Sequence, residues 1–248
     1  MTNLWPELLR ITLCPDKIVL ERGKLIISLK GMEHRYFAPE IIPVDARHEP
    51  TLWASPLAVL AIALDGLPER RHDASVILSN HFAHYPLVDA ATVQDDAPST
   101  GIIEPQLEAA LDDLLARHGC RLTSIEPRIV AIATNHPDEL QGEPGWLVLI
   151  EEGLACLGLI EDGEFTRLRN LYMWPASSVE LLSVLDREAR LAGLESPPRT
   201  LMLWTRDETD EVNLPINSGW NISRFGRKVA VSLARPISSE TALAGARI

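Results

Sequence analysis

The order of structural elements in this chain recurs, and that recurrence constrains the fold more than any single motif. Three short, closely spaced strand patterns, a helix and a further strand begin near Leu8, and the same order begins again near Trp146. In the first unit Leu8 to Cys14 reads as a strand and Pro15-Asp16 as a turn. Lys17 to Arg22 is a second strand, broken by Gly23, and Leu25 to Leu29 a third. A helix from Pro56 to Asp65 follows, with Ser55 as N-cap, Pro56 at its first position and Gly66 at its end. Ala74 to Leu78 is the next strand. In the second unit Trp146 to Ile150, Ala155 to Ile160 and Phe165 to Arg169 are strands, with turns at Gly153 and Asp162-Gly163. Ser177 with Glu180 makes a capping box for a helix that Gly193 ends, and Thr200 to Trp204 is the following strand. Three antiparallel strands cannot bury both faces alone, so each helix must cross over to a parallel strand and cover one face. Two such units predict a duplicated α/β fold with a cleft between its halves.

The apolar residues of the Pro56–Asp65 helix lie on nearly all its faces, which predicts a well-buried helix. Between the units, Tyr85 to Val88 reads as a short strand and Asp89 to Thr100 as a polar, acidic loop. Glu104 to His118 is amphipathic, with Leu107, Ala110, Leu111, Leu114 and Leu115 on one face and Gly119 as its cap. Leu122 to Ile125 is a strand, and Pro127 to Thr134 a short apolar helix. The predicted lobes are residues 1–96 and 97–235, with 236–248 as a frayed tail.

Composition narrows the class of function. Hydrophobic residues are 46% and charged residues 23% of the 248, as in a soluble globular protein, which excludes wholesale disorder, collagen and a polytopic membrane protein. The net charge of −12 repels phosphate backbones and argues against a nucleic-acid partner. Cys14, Cys120 and Cys156 are odd in number and far apart, so no disulfide framework or zinc knuckle is expected, and a reducing, cytoplasmic compartment fits. The start, MTNLWPELLR, is not a signal peptide, and no apolar stretch is long enough for direct membrane insertion.

Four stretches carry a resemblance. LRITLCPDKIVLERGK resembles the first hairpin of the actin-like cytoplasmic proteins of type IV pilus and type II secretion assembly. ASVILSNHFAHYPLV is similar to a strand of uncharacterised bacterial relatives of those proteins. LEAALDDLLARHGCRLTSIEPRIVAIAT resembles their helix and strand leading into the second lobe, and GWLVLIEEGLACLGLIEDGEFTRLRN their second meander. The resemblance implies the duplicated ribonuclease-H-like (actin-like ATPase) fold. It also implies a role as a cytoplasmic adaptor that docks a protein partner at an inner-membrane assembly platform. In such a fold an Asp-x-Gly turn in each hairpin wraps nucleotide phosphates with backbone N–H groups, and its carboxylate holds magnesium through water. Here the first turn is Leu13-Cys14-Pro15-Asp16, without glycine and with a proline that has no N–H to donate; the second is Ile150-Glu151-Glu152-Gly153. Late in the chain only Asn217-Ser218-Gly219 stands in for a Gly-Gly nucleotide loop. The expectation is a degenerate member that lacks a cofactor and hydrolysis. The alternative is a working ATPase in which ATP and Mg bind, with Asp16 and Glu151 positioning magnesium and water.

Each candidate site residue has a plainer reading beside it. Asp16 and Lys17 could face a phosphate, or form a solvated turn, since turns attract Asp. Glu151 and Glu152 could pair on a metal, but adjacent residues in an extended chain point apart. Asn80, with His81 and His84, could border the cleft at a strand's end, or simply terminate a buried strand. The cleft candidates are therefore Asp16, Lys17, Asn80 and Glu151; no residue is assigned a catalytic or metal-ligating role. GxSxG, GxxxxGK[ST], HExxH and GxGxxG are absent. Asn221-Ile222-Ser223 reads as a coincidental sequon, and Trp5 and Trp220 as core packing or as interface anchors.

Overall fold

Alternation in the first strand, β1 (Glu7–Leu13), sends Leu9, Ile11 and Leu13 inward. A tight turn closed by Cys14 N–H on Lys17 O, at 3.0 Å, returns the chain into β2 (Lys17–Ser28), antiparallel to β1 with Leu13 opposite Ile18. β3 (Gly31–Tyr36) and β4 (Glu40–Pro43) pair with the two halves of β2. α1 (Ala54–Asp65) then crosses over to β5 (His72–Leu78), which runs parallel to β1. After a single 3-10 turn at Asn80–Phe82, β6 (Ala83–His84) and β7 (Ile102–Ile103) form a two-residue ladder. α2 (Pro105–Arg117) crosses to β8 (Cys120–Pro127), parallel to β5. Two short helices, α3 (Arg128–Asn135) and α4 (Pro137–Leu140), lead into β9 (Gly145–Glu151), β10 (Leu154–Glu161) and β11 (Glu164–Tyr172). α5 (Ser178–Leu191), β12 (Thr200–Thr205) and β13 (Asn221–Arg224) complete the described chain. This computed structural model describes residues 7–28, 31–45, 51–68, 71–85, 102–142, 144–172, 178–205 and 219–225.

The two sheets have the same order, β3-β2-β1-β5-β8 and β11-β10-β9-β12-β13, with β4 as an extra partner of β2. In each, an antiparallel meander is extended by two parallel strands. This is the duplicated ribonuclease-H-like arrangement that the element order predicts.

Three cores hold it together. One face of the first sheet packs on Leu60 and Leu64 of α1 and on Leu107, Leu111, Leu114 and Leu115 of α2. One face of the second packs on Leu181, Leu182, Leu185 and Ala189 of α5. Its other face, carrying Leu147, Leu149, Cys156 and Ile160, is covered by Ile129 and Ala133 of α3 and by Leu140 of α4. Every residue of β9 is buried in consequence, as expected of a strand sandwiched between two layers. Gly158 on β10 permits this closeness: a Cβ there would meet the Phe165 ring at 2.5 Å and Ile129 Cδ1 at 3.2 Å.

Several expectations are corrected. Gly23 does not break a strand; β2 runs through it, and the third strand is Gly31–Tyr36, not Leu25 to Leu29. The glycine is needed because the Tyr36 ring lies over it, where a Cβ would come within 2.8 Å of Cδ1. α1 begins one residue earlier than Ser55, with Trp53 in the N-cap position and no side-chain cap. It is also less buried than its composition suggests, since Ile62 is 73% exposed. The division at residues 96 and 97 falls before α2 and β8, although both belong to the first sheet and its core. β4 and β13 were not anticipated. The cap at Ser177, the loop at Asp89–Thr100, the tail at 236–248, Trp5, the end of the Tyr85–Val88 strand and Asn217-Ser218 lie outside the described residues.

Candidate functional site

In a sheet of this kind the carboxyl ends of the parallel strands border a crevice. Here β1, β5 and β8 of the first sheet and β9 and β12 of the second all end beside one another. The β1–β2 turn presents Cys14 there, and the β9–β10 turn presents Glu151. Both are buried. Arg128, the first residue of α3, enters between them from the end of β8 and is 6% exposed. Its Nη1 donates to Glu151 Oε1 at 2.6 Å and its Nη2 to Cys14 Sγ at 2.9 Å. One guanidinium thus bridges the two hairpins. Its Cζ also lies 5.7 Å from the centroid of the Trp204 ring on β12.

The second carboxylate oxygen is taken as well. Glu151 Oε2 accepts the Asn80 backbone N–H at 2.8 Å and Asn80 Nδ2 at 2.9 Å. Asn80 is fully buried, and its Oδ1 accepts the Tyr85 hydroxyl at 2.9 Å and the Ile129 N–H at 3.4 Å. Its carbonyl accepts Asn170 Nδ2 at 2.7 Å, and the same amide nitrogen donates to Ala83 O at 2.8 Å. His81 extends the contact outward, its Nδ1 3.0 Å from Ser79 Oγ and its Nε2 3.0 Å from Glu152 O. A lone buried carboxylate would be costly by several kcal/mol, and here a cation and two N–H donors offset that cost.

The surrounding acids are held neutral. Burial pushes the Cys156 thiol well up, with the nearby Glu151 charge adding to it and the Tyr85 hydrogen bond opposing. Burial, then the neighbouring Cys156 and Glu151, raise Tyr85 likewise, so its hydroxyl stays a donor. Away from the site, at the start of β8, burial also raises Cys120. A raised, enclosed thiol is a poor nucleophile. Among the described residues no group of three His, Cys, Asp or Glu side chains is placed to hold a metal ion.

The sequence candidates separate accordingly. Asn80 and Glu151 meet directly, in one hydrogen-bonded unit. Asp16 sits half-buried at the turn, its carbonyl accepting the Val44 N–H at 2.7 Å. Lys17 lines a pocket of about 260 Å³ that opens beside Arg128, walled by Val19, Ile77, Ile132 and Trp204. Glu152 is exposed, in the turn that follows β9, and does not share a site with Glu151. His84 points outward, 3.6 Å from Glu104. Sequence reasoning missed Arg128, Tyr85 and Asn170. The available signal for Arg128 was a single charge at the head of the otherwise apolar stretch Ile129 to Ala133.

No family model matches the sequence, and no curated protein matches it. Solved structures do. A Bacteroides thetaiotaomicron protein with an actin-like ATPase fold and unknown function superposes with a TM-score of 0.51, at 9% identity over 83% of each chain. A chain of the PilM–PilN type IV pilus biogenesis complex gives 0.50, at 13% identity over 87% of this chain and 90% of that one. The cytoplasmic domain of EpsL, an inner-membrane component of the Vibrio cholerae type II secretion system, gives 0.44 at 13% identity, over 89% and 90%. The fold is therefore that of the actin-like ATPases.

Proposed function

We propose that this chain is a non-catalytic actin-like interaction module, an adaptor for a protein partner at an inner-membrane pilus or secretion assembly platform. The observation that carries the reading is the Arg128 guanidinium between the two hairpins. In an actin-like ATPase that interval receives phosphates and their magnesium. Here a resident cation fills it, bonded to Cys14 on one side and Glu151 on the other. Glu151, the better-placed carboxylate for a metal, has both oxygens engaged inside the protein. At Pro15 the first turn has lost a backbone donor besides. The setting comes from the resemblance of the hairpin and meander sequences to pilus and secretion proteins. A fold neighbour from a pilus biogenesis complex supports it. Among the described residues no helix is long and apolar enough to cross a membrane.

Titration with Mg-ATP, followed by calorimetry and thermal shift, tests this. A ligand at 100 times its Kd adds about 2.7 kcal/mol of stability, a readily visible shift. The expected result is no heat and no shift at millimolar Mg-ATP, with partner capture the same in its presence and absence. Saturable binding, or release of the partner on adding ATP, overturns the reading.

A further inference from the structure

The crevice beside Arg128 is blocked between the hairpins but not filled. The pocket of about 260 Å³ lies between α3 and the carboxyl-terminal parts of β1, β5 and β12, close to where α/β sheets place their ligands. Its walls are apolar: Val19 and Ile77 from the first sheet, Ile132 from α3 and the Trp204 indole from β12. Two cations face it, Lys17 and Arg128, and none of its described lining is a carboxylate. Arg128 is already paired with Glu151, so in a chain of net charge −12 Lys17 is the cation at the pocket without an ion partner among the described residues. Arg128 engages two of its five N–H donors, with Glu151 and Cys14. Thr12 and Asn135 add donors: the Thr12 hydroxyl, and the second Nδ2 hydrogen of Asn135, whose first goes to Ala131 O at 2.7 Å.

From this lining we infer a binding site for a small organic carboxylate: a compact apolar or aromatic body with one anionic group. The body lies against Trp204, Ile77 and Ile132, and the carboxylate between Lys17 and Arg128. The volume is below the roughly 300–1,000 Å³ of ordinary ligand pockets and suits a single ring or short chain. Lys17 belongs to the first sheet and Trp204 to the second, so such a ligand touches both halves of the molecule. The site goes beyond the adaptor role and stands independently of it.

Benzoate is the probe, with benzyl alcohol as its neutral counterpart, inorganic phosphate as an anion without a body, and Mg-ATP as the nucleotide control. Calorimetry and tryptophan fluorescence read binding. Small ligands recover only a fraction of a kcal/mol per atom in ordinary cases, so a Kd of about 0.1–1 mM is expected for benzoate. Benzyl alcohol and phosphate should each bind at least about tenfold more weakly, because each lacks one half of the recognition. Lys17→Met should weaken benzoate by about tenfold with an unchanged Tm, since it keeps the stem and removes only the charge. Trp204→Phe should abolish the fluorescence change and keep the heat. The site is overturned if benzoate does not saturate by about 10 mM, or if benzyl alcohol or phosphate matches it. Unaltered binding in Lys17→Met, or competition by Mg-ATP, overturns it equally. Nucleotide binding without competition counts against the non-catalytic reading alone.

Discussion

Arg128 decides how the two halves meet, and the consequence is measurable. Arg128→Ala leaves Glu151 buried with two N–H donors and no counter-charge, and should cost about 3–5 kcal/mol in urea unfolding. Arg128→Lys keeps the charge but loses the planar fork that reaches Cys14 and Glu151 together, so it should fall between the two. An Arg128→Met, Glu151→Gln double variant removes both charges while the amide oxygen still accepts from Asn80, and should recover most of the loss, the signature of a coupled pair. Additive losses in that cycle would show that the two side chains do not act together. Half of this unit was legible in the sequence. Asn80 ends an apolar strand and Glu151 occupies a hairpin turn, positions that local pattern can flag. Arg128 showed only as a charge heading an apolar stretch; its partners lie 23 and 114 residues away, and that charge alone does not reveal that it is buried. Asn170 escaped for the same reason, its contacts with Asn80 and Ala83 spanning 90 and 87 residues.

At the scale of elements, periodicity performed well and glycine misled. Strands β1 and β5 and helix α2 follow from alternation or from the 3.6-residue stripe, because one face of each must be buried, and β9, β10 and β12 follow from continuous apolar runs. Gly23 reads as a breaker by its type, yet it sits mid-strand under the Tyr36 ring, a contact made by a partner strand that was itself misplaced. Gly23→Ala should therefore destabilise by about 1–3 kcal/mol, through overpacking against Tyr36 and the Arg35 carbonyl, which stands 3.0 Å from the added carbon. Thermal unfolding of Gly23→Ala beside the Gly23→Ala, Tyr36→Ala pair checks it: the second change should relieve much of the clash. An unchanged Tm in the single variant would mean the strands separate at no cost. β13 was missed because Asn221–Arg224 is short and mostly exposed, with no buried face to impose a pattern.

For the whole molecule, the duplication was readable and the way its copies join was not. The join lies in α3, which continues from β8 of the first sheet yet buries Ile129 and Ala133 on the second. Adding the Arg128, Glu151 and Asn80 contacts, the interval between halves is part of the core rather than an open seam. The two halves should unfold as one, with tryptophan fluorescence and far-UV circular dichroism giving coincident urea transitions. Two separated transitions in the unmodified chain would show that the halves are only loosely joined.

The salt bridge between hairpins has a historical corollary. A substitution that removes Arg128 strands a buried anion, and one that removes Glu151 strands a buried cation, so either first step toward reopening the crevice runs uphill. Once both residues were in place, selection for folding alone would preserve them, whatever the crevice had once held. The pair works as a lock: neither residue can leave alone without stranding the other.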